Sequence, residues 1–344
     1  MGNAGFRLRA GDWVEVKGPL EIAQTLDAEG LLDGLPFMPE MMQFCGKRFR
    51  VLRLAEKTCV QFPGEGQVYK IREFHNNDVV VLDMPRCSGA AHDGCQRACV
   101  FFWKQAWLRK TSKDQPGPVA NQPGQERLRV RLKTMQGPGR YLCQSTALAT
   151  ATHAMTRARV VLKCFYDVAS GSRGVLEMAK FVLFPLLLYV RSKFTQRLLA
   201  GNLKHTPVGN LDLQPGEWVR IKSEVEIATT LDSRACNRGL RCDWGMRLFC
   251  GGRYQVRSRL ERMISETTGE MRQVGSTVIL DGLNCLCWSS HVGGCPREDF
   301  MWWREVWLDR EQGAGHAVEI ELGERLDGGN NPRKKMAASA QERS

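Results

Sequence analysis

The sequence predicts an α+β protein in which two small SH3-like β-barrel domains flank a basic helical insert. Three observations carry that prediction: an internal repeat, strand periodicity within each repeat, and a cationic, helix-patterned stretch between them. Gly11-Asp-Trp13-Val-Glu-Val16 returns as Gly216-Glu-Trp218-Val-Arg-Ile221. Glu21-Ile-Ala-Gln-Thr-Leu-Asp27 returns as Glu226-Ile-Ala-Thr-Thr-Leu-Asp232, and Phe44-Cys45-Gly46 as Phe249-Cys250-Gly251, all at one offset. Val79-Val-Val-Leu-Asp83 answers Thr277-Val-Ile-Leu-Asp281. Each copy closes on an aromatic block, Phe102-Trp103-Lys-Gln-Ala-Trp107-Leu108 against Trp302-Trp303-Arg-Glu-Val-Trp307-Leu308. Five anchors in one order mark a duplicated domain over residues 8–110 and 213–310.

Within a copy, Trp13–Val16, Arg48–Val51 and Val79–Leu82 are short β-branched or aromatic runs bounded by Gly, Pro and Asn, the pattern of strands. Glu21–Leu26 sets Ile22 and Leu26 on one face of a short helix. Short strands with one small helix predict a compact barrel. The tryptophans of the closing block fall among leucines, which reads as core and not as a base-stacking platform.

Residues 111–126 (TSKDQPGPVANQPGQE) have no apolar face and read as a flexible linker. Residues 127–212 form the basic region, with helices expected over Tyr141–Ala154, Arg157–Val168 and Gly174–Ala200. Residues 311–344 read as a disordered tail.

The double GDWV/GEWV cassette carries Phe44-Cys45-Gly46-Lys47, Lys57-Thr58-Cys59, Gly94-Cys95 and Tyr141-Leu-Cys143-Gln-Ser-Thr146 between its halves. In these motifs the chain resembles an uncharacterised bacterial family of hypothetical proteins with a duplicated, Cys-rich domain. The resemblance covers residues 8–310 and implies the duplication, but brings no activity with it.

Thirteen cysteines in 344 residues are the most conspicuous chemistry. No signal-peptide pattern opens the sequence and the count is odd, so a reducing, cytoplasmic setting is expected, with thiols or metal ligands in place of disulfides. In copy one, Cys59, Cys87, Cys95 and Cys99 follow the spacing C-x27-C-x7-C-x3-C, on loops that one end of a barrel would gather. Four thiolates suit tetrahedral zinc, with an iron–sulfur cluster as the alternative, and Gly89 and Gly94 permit the tight path a knuckle needs. His92 reads as a surface or supporting residue rather than a ligand. In copy two Asp299 stands for Cys99 and Ile264 for Cys59, so that copy either builds another site from Cys285, Cys287, Cys295 and His291 or holds no metal. Cys45 and Cys250, each between an aromatic residue and glycine, read as core; Cys143 and Cys164 are given no role.

The formal charge is +12, and residues 126–205 supply most of it, with 14 Lys or Arg against Glu126, Asp167 and Glu177. Within them, Phe181–Val190 is an unbroken apolar run, too short to cross a bilayer, with cations on both sides. It reads as a buried core helix or as an interfacial helix, residues 174–200, on an anionic membrane surface. Nucleic acid, through Arg157, Arg159 and Lys163, is the other electrostatic partner to weigh.

No Walker A loop, Gly-x-Ser-x-Gly elbow, His-Glu-x-x-His or dinucleotide glycine motif occurs. The expectation is therefore a non-catalytic, zinc-binding scaffold with a protein partner, accessory to a biosynthetic or surface-assembly enzyme system. The alternatives are a metal- or thiol-dependent enzyme with its site between the barrels, and a nucleic-acid-binding protein.

Overall fold

The computed structural model describes residues 8–55, 57–62, 69–112, 123–176, 178–179, 183, 201–285 and 297–311. Copy one begins at strand β1 (Trp13–Val16), entered through Gly11 at φ +91°, and copy two at its equivalent, entered through Gly216 at φ +93°. A left-handed turn at that point explains why both copies open on glycine. Helix α1 (Pro19–Thr25) follows, with Pro19 in its first turn and the Glu21 carboxylate accepting the Gly18 N–H at 3.2 Å. After the hairpin β2 (Leu31–Leu32) and β3 (Leu35–Pro36) and a 3-10 turn over Pro39–Phe44 come β4 (Arg48–Leu54), β5 (Thr58–Gln61), β6 (Tyr69–Phe74), β7 (Val79–Arg86), β8 (Val100–Lys104) and β9 (Leu108–Thr111).

Five of these strands form one curled antiparallel sheet in the order β8-β7-β4-β1-β9, the last strand returning to pair with the first. A short 3-10 turn, Gln105–Trp107, makes that return.

The central region contributes α2 (Gln125–Arg129), the hairpin β10 (Met135–Gly137) and β11 (Arg140–Tyr141), α3 (Gln144–Ala151), β12 (Thr152–Ala154) and α4 (Arg157–Ala169). Copy two then runs β13 (Trp218–Ile221), α5 (Glu224–Ala228), β14 (Cys236–Asn237), β15 (Leu240–Arg241), β16 (Arg253–Arg259), β17 (Arg262–Ile264), β18 (Met271–Gln273), β19 (Thr277–Asn284), β20 (Phe300–Arg304) and β21 (Leu308–Arg310).

The second sheet repeats the first, in the order β20-β19-β16-β13-β21. Its register repeats too: Trp13 faces Arg50 and Trp218 faces Gln255. Even the irregularities recur, with a shift between Val51 and Arg53 matched between Val256 and Ser258. A bulge re-aims a strand, so a repeated bulge means the same curl was kept in both copies.

The cores are built from the inward faces of these sheets. Trp103, Trp107, Trp303 and Trp307 are fully buried, as the closing aromatic block predicts. Phe37 meets Trp107 edge-on at 5.1 Å between ring centroids. The second indole of each block finds the same polar partner, Trp107 Nε1–H donating to Thr25 Oγ1 at 3.1 Å and Trp307 Nε1–H to Thr230 Oγ1 at 3.0 Å.

The insert differs from the expectation. Residues 127–212 mix strands with helices, and the helix expected over Tyr141–Ala154 is confined to Gln144–Ala151, after which β12 joins β6 as a strand. The first half of the insert is part of copy one and not a separate layer: Leu128, Cys143, Leu148 and Ala151 pack in that core. The linker is also shorter than residues 111–126, since β9 extends to Thr111 and α2 begins at Gln125. Gln144 shows how firmly the insert is attached. Its amide accepts the Phe102 N–H and donates to the Phe102 carbonyl, both at 2.8 Å, closing the open edge of β8 as another strand would. Of the expected tail only Glu311 is described, its N–H donating to the Trp218 carbonyl at 3.0 Å; residues 312–344, and all of Phe181–Val190 except Leu183, lie outside the described residues.

Candidate functional site

The two copies meet through the loops that enter β8 and β20. In copy one the Cys87 N–H donates to the Cys99 carbonyl at 2.8 Å, and in copy two Cys285 does the same to Asp299 at 2.7 Å. Just before each acceptor residue lies a left-handed position, Ala98 at φ 50° and Glu298 at φ 46°. Arg97-Ala98-Cys99 and Arg297-Glu298-Asp299 therefore share one backbone shape, and both project an arginine across the junction.

The arginines are exchanged. Arg97 Nη1 donates to the Ile264 carbonyl of copy two at 3.5 Å, and Arg297 Nη1 donates to the Cys59 carbonyl of copy one at 3.2 Å. Ile264 and Cys59 are equivalent strand positions, since Cys59 pairs with Ile71 and Ile264 with Met271. The contact is thus reciprocal, as across a twofold axis.

Both guanidiniums are buried, with Arg97 8% and Arg297 2% exposed. Two carboxylates from copy two neutralise them: Glu266 lies 2.8 Å from Arg297 and 3.5 Å from Arg97, and Asp299 lies 3.1 Å and 3.7 Å away. Burial opposes a charge on either arginine; attraction by Cys99, Asp299 and Glu266 outweighs it at Arg97, and attraction by Asp299 and Glu266 outweighs it at Arg297, so both stand above the ordinary guanidinium range. Glu266 also accepts the N–H of its own equivalent, Gln61, at 3.1 Å.

Beside this network lies a cavity of about 30 Å³, lined by Cys87, Cys95, Cys99 and Cys143 together with Arg97, Arg297 and Asp299. Three of its sulfurs have a hydrogen-bond partner in place. The Gly89 N–H lies 3.3 Å from Cys87 Sγ and the Ile264 N–H 3.4 Å from Cys95 Sγ. Arg297 donates to Ser145 Oγ at 3.3 Å, and that hydroxyl shares a hydrogen bond with Cys99 Sγ at 3.5 Å. Cys143 caps the N-terminus of α3. Burial pushes the Cys87 and Cys99 thiols up and Cys143 to about 11, so all three are neutral, poorly nucleophilic thiols at physiological pH. The loop itself is closed by Gly89, at φ +69°, where a Cβ would stand 2.0 Å from the Cys95 carbonyl oxygen.

Three of the four cysteines expected to form a metal set, Cys87, Cys95 and Cys99, therefore come together, and the fourth does not. Cys59 turns away from the cavity and packs with Ile71, Val160 and Cys285. Its place at the cavity is taken by Cys143, to which the repeat pattern assigned nothing. Among the described residues no group of three or more His, Cys, Asp or Glu side chains is arranged to hold a metal ion as it stands. In copy two Cys287, His291 and Cys295 lie outside the described residues. Cys45 and Cys250 pack against their cores, as expected.

His92 is not a surface residue. It is buried, with Nδ1 2.7 Å from Glu40 Oε1 and Nε2 2.9 Å from the Leu142 carbonyl. Burial works against its charge, but the hydrogen bond and attraction of Glu40, joined by the Leu142 carbonyl, hold it above the usual histidine range. Burial likewise opposes ionisation of Glu40, and its bond to His92 with the Ala91 N–H brings it below the usual carboxylate range. Both ring nitrogens are engaged, so neither is free to ligate.

The arginine pair was legible in the repeat. Arg97 and Arg297 occupy the same column, two residues before the Cys99/Asp299 exchange that the cysteine spacing singles out. Comparison of the chain with family models, with curated proteins and with solved structures finds no match.

Two predictions follow from this geometry. Replacing Arg297 by methionine strands Glu266 and Asp299 beside a single guanidinium and is expected to cost about 3–5 kcal/mol, read from urea unfolding; a change within error would remove the junction from the stability of the fold. The His92–Glu40 pair sets a pH window. Glu40, lowered when folded, stabilises above about pH 4.5 and loses its contribution as pH falls through its folded value; His92, raised when folded, stabilises below about pH 6.5 and loses its contribution as pH climbs through its folded value. Tm should therefore be highest between those limits, and His92→Gln should flatten the alkaline decline.

Proposed function

We propose that this protein is a non-catalytic binding or scaffold protein, two SH3-like barrels locked into one body for a protein partner. The observation that carries the reading is the junction, where each copy buries an arginine in the other and both arginines face buried Glu266 and half-buried Asp299. The strand order, with a 3-10 turn ahead of a last strand that returns to the first, supports the SH3-like assignment. An enzyme acting between the copies, the competing reading, needs a cleft for its substrate. The cavity at the junction is about 30 Å³, room for a water or two or a single ion.

The nucleic-acid reading finds less support. Its cations Arg159 and Lys163 already face Glu73, and the large tryptophans of the closing blocks are inside.

Zinc is the ion that four gathered thiols would take, and Cys143 replaces Cys59 in that set. Binding would deprotonate the thiols and draw the four sulfurs inward onto one ion.

Two measurements test these readings. Hydrogen exchange should place the amides of Gln61, Gln96 and Ile264, all bonded across the junction or to its thiols, in the slowest class of the protein. Fast exchange at those amides with slow exchange in the sheets would describe an opening cleft and overturn the locked scaffold. Metal analysis of protein purified under reducing conditions should find one zinc per chain, lost together with thermal stability in Cys99→Ser/Cys143→Ser. Metal-free protein that melts normally would sink the zinc reading and leave the thiols as packing.

A further inference from the structure

The two copies treat one buried cation in opposite ways. Lys104, the last residue of β8, lies opposite Val79, and Arg304, the last residue of β20, lies opposite Thr277, so the two hold the same register position. Both are buried, Lys104 1% and Arg304 5% exposed. Lys104 Nζ donates to Asp33 at 2.7 Å and to Asp78 at 2.8 Å, so copy one meets its cation with two carboxylates. Copy two has neither. Arg238 stands in the column of Asp33, and Ser276 in that of Asp78. The backbone supports both equivalences. Asp33-Gly34 and Arg238-Gly239 are the two-residue turns of matching hairpins, left-handed at both positions. The Gln105 N–H donates to the Asp78 carbonyl, and the Glu305 N–H to the Ser276 carbonyl.

Arg304 is left with neutral acceptors. Its guanidinium donates to the carbonyls of Asn237, Arg238, Val274 and Gly275 and to Thr277 Oγ1, at 2.9 to 3.3 Å. Among the described residues no carboxylate faces it, and the second N–H of its Nη2 meets no acceptor. Burial and the nearby Arg238 bring the group down to about 10, so it keeps its charge at neutral pH. A buried charge is ordinarily paired.

Arg238 is exposed and sits at φ +47°, a turn position that favours Asp, Asn and Gly over a long side chain. Held there, it sets a second cation beside the first. The turns around the pair are open, since a Cβ at Gly239 or Gly275 would meet no atom within 4 Å. One cation against two anions in copy one has become two cations against none in copy two. Guanidinium donors match the oxygens of phosphate and carboxylate groups.

We propose that Arg238 and Arg304 form an oxyanion site in copy two, where a bound phosphate or carboxylate group supplies the charge that Asp33 and Asp78 supply in copy one. Arg304 ends the strand that Arg297 precedes, so the site lies at the other end of β20 from the junction and the inference does not rest on the scaffold reading.

The test is thermal unfolding of the full-length protein at neutral pH, with sodium phosphate or sodium acetate added at low millimolar concentration to a chloride buffer of constant ionic strength. One or both anions should raise Tm by about 2 °C or more over chloride alone, and which of them does so identifies the acid group of the ligand. Arg238→Asp puts at φ +47° the residue that copy one keeps at φ +52°. It should melt above the wild type in chloride and lose the response to the added anion. Arg238→Ser should lose the response without that gain, while Arg127→Ser, at an exposed arginine of α2, should retain it. A wild type that melts alike in all three salts overturns the proposal, as does a response that persists in the Arg238 variants. Loss of the response in Arg127→Ser as well would reduce it to general screening of the basic chain, and would equally overturn the site.

Discussion

Two guanidiniums are buried where the duplicated halves meet, and the rest of the arrangement is organised around keeping them paired. A buried charge is tolerated only when it is matched and hydrogen-bonded. Each arginine is matched twice, by a carbonyl from the opposite copy and by Glu266 and Asp299, both from copy two. The left-handed positions at Ala98 and Glu298 stand next to the arginines in both loops, and the Gln61 N–H bond to Glu266 ties β5 to copy two at the same place.

The duplication is symmetric in backbone and asymmetric in charge. Both copies keep the arginine. Only copy two keeps acids, with Glu266 where copy one has Gln61 and Asp299 where copy one has Cys99. Copy two paired with itself would bury four carboxylates against two arginines, and copy one with itself would bury two arginines against none. At these columns only the mixed pair balances, and beside them Glu298, where copy one has Ala98, faces Arg53 and Arg86 of copy one. The Cys99/Asp299 exchange, which looks from cysteine spacing like the loss of a metal ligand, is better understood as the divergence that makes the halves complementary.

The duplication was legible from five anchors, because residues such as Gly11, Trp107 and Val14 do the same mechanical work in both copies. The candidate site was legible only in part. Cys87, Cys95 and Cys99 belong to one loop, and a loop keeps its members close. Cys59 lies on β5, where alternation carries its side chain toward Val160 while its carbonyl faces Arg297. Cys143 lies outside the repeat, and only the docking of α3 through Gln144 onto β8 brings it to the cavity. Periodicity carries no information about such a contact. The insert was misread as a helical layer because Ala and Thr over residues 141–154 suit a helix locally, whereas pairing with β6 draws Thr152–Ala154 into a strand.

Helix α4 turns Lys163 and Asp167 inward onto copy one, and docking of that kind has a thermodynamic signature. The helix is held by Lys57–Asp167 and Lys163–Asn77, with Val160 its apolar contact in the small cluster around Cys59. Lifting it away would hydrate ions more than it would expose hydrocarbon. Heat-capacity change and denaturant sensitivity both follow the apolar area exposed. Detachment of α4 would leave both nearly unchanged, and would respond instead to ionic strength, as a clasp made of charge on a body held together by its core.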